Sequence, residues 1–86
     1  MENLNWDEHH KYIFILVQRI QTRCEQVINR IEIGEVMYET NMFLAIKTHT
    51  GKKIIKKALI SKAINITNIS NIETQFLVDR LESRLV

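Results

Sequence analysis

Six lysines dominate the chemistry that this sequence offers. Lys47, Lys52, Lys53, Lys56, Lys57 and Lys62 fall in a window from Glu39 to Glu73 that contains no intervening acid. A block of that kind raises a local positive potential, which draws phosphates or an acidic protein surface. Its bland reading is a solvated lysine face that aids solubility. The net charge of +2 conceals the asymmetry. Residues 1–46 carry four basic and seven acidic side chains, and residues 47–86 carry eight basic and three acidic.

Other reactive groups are sparse. His9 and His10 are adjacent, which on a helix points them about 100° apart, and His49 stands alone. Neither a His-x-x-x-His nor a Cys-x-x-Cys spacing occurs, so no metal site is expected. Cys24 is read as a packed thiol, because a reactive thiolate needs an electropositive, accessible setting. Gly51-Lys52-Lys53 resembles the tail of a phosphate loop only superficially. The first glycine of that pattern would fall at Ile46, and Lys53 stands where Ser or Thr is required. There is no nucleophile elbow and no argument for a carboxylate pair. The expectation is a non-enzymatic protein without a cofactor.

Eighty-six residues support one domain, 1–86, with a thin core. No apolar run approaches the roughly 18–20 residues that span a bilayer, and residues 1–7 do not read as a secretory signal. A soluble, cytoplasmic protein is expected. The richness in isoleucine and asparagine fits an AT-rich coding sequence such as a phage's.

The elements that must position these residues read as helical. Asn5 and Glu8 suit a capped helix start. Ile13, Val17, Ile20, Cys24, Val27 and Ile31 follow at spacings of 4, 3, 4, 3 and 4, a heptad-like seam. The six successive apolar residues Tyr12–Val17 suit a helix covered on every side. A helix over about 6–32 measures roughly 39 Å, against about 31 Å for the diameter of a compact domain of this length. The seam is therefore expected to form a homodimer interface. Gly34 reads as the helix stop. The segment 52–65 reads as helical because Ile54-Ile55, Ala58-Leu59 and Ala63-Ile64 come as pairs, and 37–49 reads as a further helix ended by Gly51. The alternative is a β-hairpin at about 42–60 turning at Thr50-Gly51, flanked by two helices, which makes the fold α+β rather than all-α. Ser70-Asn71-Ile72-Glu73 is a capping box opening a last helix.

Ala58–Thr67 followed by Leu77-Val78-Asp79-Arg80-Leu81-Glu82-Ser83-Arg84-Leu85-Val86 resembles the second half of winged helix-turn-helix regulators of the multiple-antibiotic-resistance-regulator type. The likeness covers about 29 residues (58–86) and its motif is degenerate. The spacing of the turn departs from the family's, and the wing has no counterpart. The resemblance implies a groove-reading helix from Ser70, with Asn71 and Gln75 at base edges and Lys52, Lys53, Lys56, Lys57 and Lys62 at phosphates; the lysine window adds Lys47 to the nucleic-acid-binding candidates. The reading that follows is a small, dimeric, all-α regulatory protein binding DNA or RNA. Its alternative is a phage-type inhibitor or adaptor that binds a host protein through its acidic N-terminal half and any uncovered apolar seam.

Overall fold

The computed structural model describes residues 6–21 and 25–85. Five strands come first: β1 (Lys11–Gln21), β2 (Glu25–Glu39), β3 (Phe43–Thr48), β4 (Gly51–Lys56) and β5 (Ile60–Asn65). A 3-10 turn at Lys57–Leu59 joins β4 to β5, and the one α-helix among the described residues, α1 (Asn71–Leu85), follows β5. The strands form a single antiparallel sheet in the order β4-β3-β2-β1-β5. The fold is strand-dominated α+β, and the all-α expectation is wrong.

The error begins at Tyr12–Val17. An unbroken apolar run suits a helix buried all round, but equally a strand buried on both faces. The aromatic and β-branched residues of this run favour the strand. β1 lies between β2 and β5, and Tyr12, Ile13, Phe14, Ile15 and Leu16 are all buried. Tyr12, Phe14 and Leu16 face one way, into a core with Val36, Leu44, Ile46 and Ile55. Ile13 faces the other way, into a second core with Ile66 and Val78. We call these the inner and outer faces.

The described seam residues lie on strands, not on a helix. Ile13 is fully buried, Val17 and Ile31 are half-buried, and Val27 is exposed. The side chain of Ile20 and the whole of Cys24 lie outside the described residues. β1 and β2 stay paired from Lys11↔Glu35 to Gln21↔Glu25. β5 leaves β1 at Leu16, and β3 joins β2 only at Glu35. Beyond Leu16 the two strands therefore pair only with each other, as an arm about 17 Å long at ~3.4 Å per residue. The overlong element is this hairpin, not a helix.

Connectivity forces the sheet to curl. β4 and β5 lie at opposite edges, yet only Lys57–Leu59 separates them in the chain. Four Cα steps reach at most about 15 Å, whereas the edges of a flat five-stranded sheet lie roughly 19 Å apart. The curl wraps the sheet around the inner core. Trp6 closes one end, its ring set edge-on to Tyr12 at 5.2 Å between centroids.

Gly34 is not a helix stop. It sits within β2 opposite Tyr12. A Cβ there would lie 2.9 Å from Ile46 Cδ1 and 3.1 Å from the Lys47 carbonyl oxygen, so glycine lets β3 approach. Gly51, with φ of +125°, opens β4 after the two-residue turn His49-Thr50. The Thr48 hydroxyl bridges this turn, donating to the Gly51 carbonyl at 2.9 Å and accepting from the Thr50 N–H at 3.2 Å. The hairpin of the alternative reading is thus present over β3 and β4, but without the N-terminal helix that both readings shared. The apolar pairs have a simple explanation. Ile55 points inward and Ile54 outward; Ala63 packs on the inner core and Ile64 on the outer one.

The last helix forms where its capping box predicts. The Glu73 N–H donates to Ser70 Oγ at 3.2 Å. α1 lays Leu77, Val78 and Leu81 on the outer face against Ile13, Ile31 and Ile64. The helix-turn-helix expectation fails, because residues 58–65 belong to the 3-10 turn and β5, which leaves α1 without a preceding helix.

Gly34→Ala should destabilise the fold by about 1–3 kcal/mol through overpacking against Ile46 and the β3 backbone, read as a lowered urea midpoint. Ser70→Ala should cost ~1 kcal/mol by removing the cap, with α1 amides losing hydrogen-exchange protection before those of β1.

Candidate functional site

The six lysines do not form one surface. Their fates depend on a bulge in β2. Val36 pairs with Ile46, but Tyr38 rather than Met37 pairs with Ala45, so one extra residue interrupts the ladder. Strict alternation from Val36 would send Tyr38 inward and Glu39 outward. The bulge reverses both. Glu39 enters the inner side with its side chain only 3% exposed, and Tyr38 joins the outer face.

Inward, two lysines are held by carboxylates. Lys57 forms an ion pair with Glu39, whose Oε1 also accepts from the Trp6 N–H at 3.3 Å. This pair ties the end of β2 to the turn between β4 and β5. Lys53 Nζ donates to both Glu32 oxygens, at 3.1 and 3.2 Å, and Arg30 approaches the same carboxylate. Glu32 lies on β2 beyond its last pairing with β3 at Glu35, and Lys53 lies on β4, so the bridge ties the β3–β4 hairpin to the β1–β2 pair.

Outward, the register builds a second surface in three rows. Glu35, Lys47 and Lys52 form the first, Tyr38, Ala45 and Ile54 the second, and Phe43 with Lys56 the third. Tyr38, Phe43 and Ile54 are exposed large side chains. Lys52 Nζ rests over the Tyr38 ring, 4.8 Å from its centroid. Among the described residues, Lys47, Lys52 and Lys56 have no carboxylate within ion-pair distance. Lys47 and Lys52 stand directly opposite each other, a like-charge pairing that costs stability. The row continues into a shallow cleft lined by Lys11, Ile33, Glu35, Lys47, Thr48 and His49. α1 packs on the outer face over Ile13, Ile31 and Ile64, lying closest to β2, and leaves Tyr38, Phe43 and Ile54 exposed.

The remaining candidates lie elsewhere. Lys62 is exposed on β5, opposite Ile15 and separated from the platform by β1. Asn71 and Gln75 are exposed on α1, where Gln75 Nε2 donates to Asp79 Oδ1 at 2.9 Å. Sequence reading missed Tyr38 and Phe43. Their signal was position: Tyr38 borders the lysine-rich window and Phe43 lies within it, but they align with the lysines only once β2–β4 are strands. Among the described residues no group of histidine, cysteine and acidic side chains is arranged to hold a metal ion, and no helix is long and apolar enough to cross a membrane.

Comparison with protein-family models, with curated proteins and with solved structures returns no match.

The neighbouring residues Lys56 and Lys57 should differ sharply. Lys57→Ala strands a buried carboxylate and should cost about 3 kcal/mol. Lys56→Ala should stay within about 0.5 kcal/mol of the parent. Equilibrium denaturation of the two variants checks this.

Proposed function

We propose that this protein binds single-stranded nucleic acid on the outer face of β2, β3 and β4. One observation carries the reading: Tyr38 and Phe43 share an exposed sheet face with Lys47, Lys52 and Lys56, none of which is neutralised by a carboxylate of the described chain. Bases offer π-faces to aromatic rings, and phosphates supply the counter-charge that opposed lysines lack.

The Lys52–Tyr38 contact fits such a mechanism. A cation over an exposed ring is worth about 0.5–1 kcal/mol. A base stacked on an aromatic ring is worth about 1–3 kcal/mol. An incoming base therefore displaces the Lys52 ammonium, which then swings to the adjoining phosphate. Lys47 and Lys11 extend the positive track into the cleft. Stacking requires unpaired bases, and among the described residues the one α-helix lies on its sheet with no second helix to set it in a groove, so single strands are favoured over duplex DNA.

The adaptor reading draws less support. It enlisted the acidic N-terminal half, yet Glu32 and Glu39 are engaged by basic side chains of this same chain, and Glu35 lies 3.8 Å from His9.

Fluorescence anisotropy with a labelled single-stranded oligonucleotide tests the proposal. Three neutralised phosphates give a log–log salt slope of about −2. Replacing Lys47, Lys52 and Lys56 together with alanine should flatten that slope, and Tyr38→Ala should weaken binding roughly tenfold. Lys62→Ala, off the platform, should leave the affinity close to the parent's. Absence of binding at low salt, or equal affinity in all variants, overturns the reading.

A further inference from the structure

The solvent side of α1 carries two large apolar side chains among its polar ones. Ile72 is 73% exposed and Phe76 is 70% exposed, the two most exposed large apolar side chains among the described residues. The opposite side of the helix is occupied by the sheet through Val78 and Leu81, while Leu77, half-buried against the sheet, also reaches the exposed flank. A groove runs along the exposed flank, lined by Ile69, Glu73, Phe76, Leu77 and Arg80, with Asp79 at its rim.

The charges along this groove identify its occupant. Glu73 and Arg80 are seven residues apart, two helical turns, and so fall on one line about 10.5 Å long with Phe76 and Leu77 between them. Neither side chain has an ion-pair partner among the described residues. Asp79 is engaged by Gln75. A line reading acid, apolar, apolar, base is complementary to itself when reversed. Laid antiparallel about a two-fold axis near Phe76, two copies set Glu73 of each against Arg80 of the other and Phe76 of each against Leu77 of the other. That is the self-complementary patch an isologous interface requires. Parallel packing would instead oppose like charges.

We infer that the protein self-associates through α1, as a two-fold antiparallel helix pair centred on Phe76. The contact is small, which places it among weak, concentration-dependent dimers. It is independent of the lysine platform and stands whether or not nucleic acid binds.

Sedimentation velocity on nucleic-acid-free protein over a concentration series tests the inference. The wild type should shift from monomer to dimer as concentration rises. Phe76→Ser, at an exposed position, should raise the dissociation constant at least ~10-fold. Glu73→Lys alone and Arg80→Glu alone should each be monomeric, since each opposes like charges across the axis. An equimolar mixture of those two variants should recover the dimer, because all four facing charges are then opposite. Circular dichroism confirms that each variant keeps its fold, and a variant that does not is replaced by Phe76→Gln for the same reading. A wild type that stays monomeric throughout overturns the inference. So does a dimer indifferent to Phe76, or a mixture that remains monomeric while the wild type dimerises.

Discussion

Burial of β1 on both faces is the constraint on which the rest of the structure hangs. Ile13 and Phe14 are fully buried yet point in opposite directions, so the strand needs a core above and another below. A chain of 86 residues builds two cores only by economy of parts. The inner core comes from curling the sheet on itself, and the outer one from laying a single helix across part of the other face. What the helix does not cover remains a surface, and that surface holds the lysines and aromatics that carry the functional reading.

Two local irregularities sort the side chains between these compartments. Gly34 lets β3 approach where a Cβ would meet Ile46. The bulge at Met37 then shifts the alternation by one, which brings Glu39 in to meet Lys57 and turns Tyr38 out to meet Lys52. Lysines adjacent in sequence are thereby separated in purpose. Lys53 and Lys57 hold strands together, while Lys52 and Lys56 face solvent on the platform.

Part of this was legible beforehand. The capping box at Ser70 marks α1 correctly, because capping is a local hydrogen bond between near neighbours. The lysine window and the charge asymmetry are facts of composition. The hairpin over β3 and β4 was visible as an alternative, since Gly51 supplies the positive φ its turn requires. The misreadings share one cause. Pairs such as Ile54-Ile55 and Ala63-Ile64, and the run Tyr12–Val17, satisfy period 3.6 and two-sided strand burial alike. Only β5 pairing with β1 decides between them, and that contact joins residues about fifty positions apart.

The sequence by itself therefore determined what nearest neighbours settle: the last helix and its cap, the glycine turn, and an abundance of positive charge in the second half. The tertiary structure alone decided which apolar residues share a core, which lysines meet carboxylates, and that Tyr38 and Phe43 stand beside the lysines left over. The physical reason is that side-chain direction in a strand follows register. Register here is set by a bulge and by the curl of the whole sheet, neither of which any short stretch of residues encodes.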